Sequence, residues 1–207
     1  MSSPGSSGTS VNVAPPKYDP LTRWLHAALA AGVVAQLALS SVMHVPAGVG
    51  LGVFDWHREA FEWHARVGLA LAAVCALHWL WLCLPWCHPG LLHLFPWWQR
   101  EARAMLFRQL VNLARLRLPT VSDSTLAGTV HGLGLAAVSG SASGGIVNYL
   151  GYFRGAPIPR WVLHHVSQFH ITMGYLIWAF VIAHVGMALL HSLSGRAEVL
   201  GIFRPDP

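Results

Sequence analysis

The sequence predicts an all-α membrane protein, a bundle of four transmembrane helices with one further amphipathic helix at the interface. Three observations carry that prediction. Only 10% of the 207 residues are charged and 54% are hydrophobic, with a mean hydropathy of +0.48, whereas an average soluble domain is roughly 25% charged. Four stretches, near 22–43, 63–84, 125–148 and 161–192, are apolar over enough residues to cross a hydrocarbon core about 30 Å thick. Thirteen histidines stand in this apolar chain, and an ionisable group inside a membrane helix is costly enough to suggest a functional site by default.

The chain opens with MSSPGSSGTSVNVAPPK, residues 1–17, rich in Ser, Gly and Pro and without an apolar run. This predicts a flexible tail and not a cleavable signal peptide, so targeting falls to the first span. Residues 18–195 form one helical domain, and 196–207 form a short closing tail. The first span carries His26 near its start, and the second carries His64 near its start and His78 fourteen residues later.

Cys75, Cys83 and Cys87 lie in the second half of span two or just beyond it. The string CLPWCH (83–88) resembles a covalent haem attachment site, but three residues separate its cysteines where that motif has two. Between spans two and three, LLHLFPWWQREARAMLFRQLVNLARLRLP (91–119) places apolar residues at helical spacing among five arginines and one glutamate. It predicts a helix lying in the headgroup plane.

The middle of span three reads GLGLAAVSGSASGG (132–145), and its small residues predict close packing against neighbouring helices. Gly128 with Gly132, and Gly140 with Gly144, have the small-xxx-small spacing. His131 lies near the start of this span and is read as a polar contact, with metal ligation and a quinone-site role as the alternatives. Span four holds His170 and His184, and His191 follows seven residues later.

Basic residues set the expected orientation, because Lys and Arg near span ends are retained on the cytoplasmic side. One side collects Lys17, Arg23, Arg100, Arg103, Arg108, Arg115, Arg117, Arg196 and Arg204; the other has Arg58, Arg66, Arg154 and Arg160. Both termini are therefore expected in the cytoplasm of a multi-pass protein. This topology and anionic lipid account for a pI near 9.6 without nucleic acid.

The histidines form a pattern. Fourteen helical residues turn about 1400°, within about 40° of four full circles, so His170 and His184 share one face about 21 Å apart along the axis. Matching depths in the bundle bring His64 to His170 on the outer side and His26 to His184 on the inner side. Each pair could supply bis-imidazole axial ligation to a haem iron.

With these residues in view, the chain resembles a known family. YDPLTRWLHAAL (18–29), EWHARVGLAL (62–71), LAGTVHGLGL (126–135) and HITMGYLIWAFVIAHVGMALLH (170–191) are similar to the four helices of the bacterial cytochrome b561 family. That family includes the b-type cytochrome subunits of nickel-iron hydrogenases and formate dehydrogenases. The resemblance implies two b haems with His26, His64, His170 and His184 as axial ligands. It also implies electron transfer across the inner membrane between a redox partner and quinone, ubiquinone or menaquinone. A periplasmic or membrane-associated dehydrogenase, a hydrogenase or a c-type cytochrome would be the partner.

His78 stands where the family more often has arginine, so it either contacts a haem propionate or competes with His26 for the inner iron. His131 and His191 are candidate propionate or quinone contacts. His44, His57, His88, His93, His164 and His165 read as surface residues, and most tryptophans read as interfacial anchors. No nucleophilic triad, phosphate loop or catalytic carboxylate pair appears in the sequence. Two other functions stay open: a stand-alone superoxide:quinone oxidoreductase, and a histidine-based metal-binding membrane protein. The latter lacks intramembrane carboxylates to balance a divalent charge.

Overall fold

The computed structural model describes residues 18–43, 56–87, 90–115, 125–194 and Ile202. Helix α1 covers Pro20–Val42. Its start is set by Asp19, whose Oδ1 accepts from the Thr22 backbone N–H at 2.7 Å, and by proline in the first helical position. Helix α2 covers Trp56–Leu82 and begins well before residue 63, where hydropathy alone starts the span. The extra turns are polar and amphipathic: Glu62 pairs at 3.5 Å with Arg58 and at 3.4 Å with Arg66, each one helical turn away. A hydropathy window ends where charge begins, but the helix does not.

The continuous interfacial helix expected over 91–119 is broken. Helix α3 covers only Leu91–Leu94, a 3-10 turn covers Pro96–Trp98, and helix α4 covers Arg100–Ala114. Pro96 is the cause: it disfavours helical backbone at Phe95, found at φ −123° and ψ 60°, and it has no N–H to continue the ladder. Residues 116–119 of that expected helix lie outside the described residues. No residue of α4 is fully buried.

Helix α5 covers Thr125–Asn148 and continues through a π-helical turn, Tyr149–Phe153. Helix α6 covers Arg160–Leu193, and its 34 residues extend about 51 Å, well beyond a hydrocarbon core. Helices α1, α2, α5 with its π turn, and α6 are each long and apolar enough to cross a membrane.

Packing pairs α1 with α2, α5 with α6, and α2 with α5. The first core cluster draws Val33 and Leu37 from α1, Leu71 and Cys75 from α2, Val138 from α5 and Ile177 from α6. All four spans therefore share one interior. A second cluster joins Leu82, Cys87 and Leu135, with Leu91 and Leu94 packed against it.

Glycines of α5 let this second cluster close. A Cβ on Gly128 or Gly132 would collide with the backbone carbonyl of His93 or Leu94, so the α3 turn rests directly on the α5 backbone. Gln109 of α4 adds a tether, its Oε1 accepting from the Leu126 backbone N–H at 2.7 Å. That bond satisfies one of the free donors at the start of α5.

Candidate metal centres in the bundle

Two groups of histidines lie in the bundle interior, one towards each end. The apical end is where α2 and α6 begin, and the basal end is where α1 and α5 begin and α6 finishes. At the apical end, His64 of α2 faces His170 of α6, with ring centres 6.1 Å apart and planes at 88°. His170 Nδ1 donates to the Ser141 carbonyl oxygen at 2.7 Å, which leaves Nε2 with its lone pair for a metal. Gln36 of α1 holds the other side, donating from Nε2 to the His64 carbonyl at 2.7 Å. His64 Nδ1 is buried without a hydrogen-bond partner.

A cavity of about 880 Å³ opens between these rings and is lined by all four spans. Its middle is apolar, with Val33, Leu71, Val138 and Ile177, while Ser40, Ser41, Asn148 and Ser167 line its apical part. That volume lies in the range of cofactor sites. Glycine makes room beside His170: a Cβ on Gly145 would stand 3.3 Å from His170 Cε1.

With metal–imidazole bonds of about 2 Å and roughly 1 Å more from nitrogen to ring centre, two imidazoles trans across one iron have centres about 6 Å apart. The His64–His170 separation of 6.1 Å matches. An apolar slot, a matched pair of imidazoles and one nitrogen left without a partner therefore fit a haem at the apical end.

At the basal end, three histidines converge. His26 of α1, His131 of α5 and His184 of α6 each present one ligand atom, all within 4.8 Å of one another. Ring centres are 6.3 Å apart for His26 and His131, and 4.9 Å for His131 and His184. His131 Nδ1 donates to the Ala127 carbonyl at 2.7 Å, and Phe180 stacks on His184 at 5.3 Å. A set of neutral imidazoles suits haem iron as well as other transition metals.

His78 is buried on α2, 8% exposed, with an unpartnered Nδ1, and is not a member of the basal group. His26 and Asp19 are its electrostatic neighbours. His191 is buried near the end of α6. His57, on the first turn of α2, meets the Val42 carbonyl at 2.6 Å. His93, His164 and His165 are exposed, and His44 and His88 lie outside the described residues.

A polar network at the basal end is not evident from residue spacing. Asp19 Oδ2 accepts from Thr22 Oγ1 at 2.6 Å and from Trp81 Nε1 at 3.3 Å. Trp81 also donates to Thr22 Oγ1 at 3.1 Å, and Cys87 Sγ lies 3.9 Å from the same oxygen. Burial pushes the Cys87 thiol above its ordinary pKa, which disfavours thiolate chemistry there. The three cysteines form no disulfide. A second internal tryptophan, Trp79, donates to Ser139 Oγ at 2.9 Å. These two ring N–H groups serve helix packing inside the bundle, whereas Trp24, Trp56, Trp63, Trp86, Trp98 and Trp161 are exposed.

A family model described as prokaryotic cytochrome b561 matches residues 17–205, nearly the whole chain. Neither a curated protein nor a solved structure matches it.

Proposed function

The chain belongs to the prokaryotic cytochrome b561 family, and on that premise we propose that it is a dihaem cytochrome carrying electrons across the bacterial inner membrane between a redox partner and the quinone pool. Family membership makes it a b-type membrane cytochrome of electron transfer. The number of haems, the ligands, the quinone and the orientation are parts of this proposal. Bound haem supplies a reversible one-electron couple, while ligand identity, burial and hydrogen bonding set its potential.

The observation that supports the reading best is the placement of two histidine groups on one helix. His170 and His184 of α6, about 21 Å apart along the axis, each face imidazoles from other spans. His64 and His170 hold the apical group, and His26 and His184 hold the basal one. The Ser141 carbonyl fixes the His170 ring, and Gln36 holds the backbone of His64 on α2. The residues between the two groups are apolar, a setting that favours a water-poor path.

The excess of Lys and Arg beside the basal end supports a cytoplasmic basal end, with both termini on that side. The quinone site lies beside the basal group, where His131 and His191 offer polar contacts. A periplasmic dehydrogenase, hydrogenase or c-type cytochrome docks at the apical end, where Arg160 and Trp161 are exposed on the projecting start of α6. Partner binding tests the docking surface: changing Arg160 and Trp161 together should weaken complex formation, and unchanged binding removes that part. A quinone-analogue inhibitor that shifts the basal haem spectrum, and leaves the apical one unmoved, supports the quinone position; the reverse pattern relocates it.

A further inference from the structure

The basal group holds three imidazoles, yet a haem iron has two axial places. Resting on the reading that this group binds haem, we infer that His131 is a reserve axial donor, able to take the place of His184 opposite His26.

Distance assigns the sides. Two imidazoles trans across one iron have ring centres about 6 Å apart, and the apical pair stands at 6.1 Å. His26 and His131 stand at 6.3 Å, a trans spacing, whereas His131 and His184 are 4.9 Å apart, too close for an iron between them. With His26 and His184 read as the axial pair, His131, too close to His184 to stand opposite it, would fall on the His184 side and would bind opposite His26. Only one of them binds at a time.

The tautomer of His131 is already suited to a metal. Its Nδ1 donates to the Ala127 carbonyl at 2.7 Å, one turn back on the same helix, and so Nε2 keeps the free lone pair. His170 has the same arrangement at the same distance, with the Ser141 carbonyl as acceptor. Among the described residues, no third histidine accompanies the apical pair in a group of metal-donor spacing. The two ends should therefore respond differently to loss of a ligand from α6.

The experiment uses the full chain in mild detergent and compares His184→Ala, the bulkier His184→Leu, His170→Ala and the double variant His131→Ala/His184→Ala. Haem per chain is counted as pyridine haemochrome, and spin state is read by electron paramagnetic resonance. The inference expects two low-spin haems in both His184 variants, with a shifted basal signal, and one haem in the double variant. His170→Ala should keep one haem. The apical signal in each His184 variant reports that the bundle has folded.

One haem in both His184 variants, a five-coordinate high-spin basal haem, or two haems in the double variant would overturn the inference. The reading beneath it fails separately: wild-type protein lacking haem refutes the dihaem proposal itself. Two haems in wild type with loss in the His184 variants refutes only the role of His131.

Discussion

His64 and His170 face each other across the apical cavity with ring centres 6.1 Å apart and planes perpendicular. They come from helices that both start at this end, and the separation is that of two imidazoles trans across one iron. On the dihaem proposal, removing either leaves a single axial donor at this end. His64→Ala and His170→Ala are each expected to lower haem content from two per chain to one, measured as pyridine haemochrome; undiminished haem in both would remove this pair as the ligands.

The basal group makes a sharper prediction for His26 than for its companions. On the proposed coordination His26 is the donor opposite either of the other two, so His26→Ala should cost one haem per chain. His78→Ala should keep both haems and shift the basal midpoint potential, because His78 lies near His26 without joining the cluster. Full haem content in His26→Ala with loss in His78→Ala would exchange their roles.

Gln36 is a partly buried support for the helix that carries His64. Its Nε2 bond to the His64 carbonyl crosses from α1 to α2 at 2.7 Å, and its Oε1 is buried without a partner. A hydrogen bond of this kind is worth about 1 kcal/mol. Gln36→Leu should lower the midpoint of thermal unfolding by a few degrees and shift the apical haem spectrum, while the basal one stays unchanged. An unaltered apical spectrum would show that Gln36 does not tune that site.

Gly132 carries the α3 turn on its backbone, leaving no room for a side chain. Gly132→Leu should displace Leu91–Leu94 and cost about 1–3 kcal/mol, as overpacking does. Limited proteolysis in detergent should then cut faster between α2 and α4. Wild-type cleavage rates would mean that the α3 contact contributes little.

Asp19 caps α1 and accepts from both Thr22 and Trp81. Losing an N-cap costs about 1 kcal/mol, and here the buried Thr22 hydroxyl and the Trp81 ring N–H also lose a partner. Asp19→Ala should therefore destabilise the basal end by about 1–3 kcal/mol. Asp19→Asn should restore most of it, read by unfolding in denaturant.

Hydropathy made the four spans legible because each is a long run with few charges, and the fourteen-residue interval made the shared face of His170 and His184 legible because helix geometry is regular. The start of α2 was hidden by its charged first turns, which are helical through Arg58, Glu62 and Arg66 and not through hydrophobicity. The break at Phe95 was carried by Pro96, whose local effect competes with the apolar periodicity around it.

The third basal histidine was harder to read. The position of His131 near the start of α5 suggests a polar contact, but ring-to-ring approach depends on how α5 rotates against α1 and α6. That rotation is set by Gly128, Gly132 and Gly134, which seat the α3 backbone and the Phe180 ring. Likewise, no spacing rule links Ser141 to His170 or Gln36 to His64, since each contact crosses between helices.

The dihaem reading is tested most directly by the dithionite-reduced minus oxidised spectrum of the purified protein, with haem per chain counted as pyridine haemochrome. Two b haems per chain are predicted. Folded protein that binds none when made with ample haem would contradict the account and direct attention to other metals at the three-imidazole group.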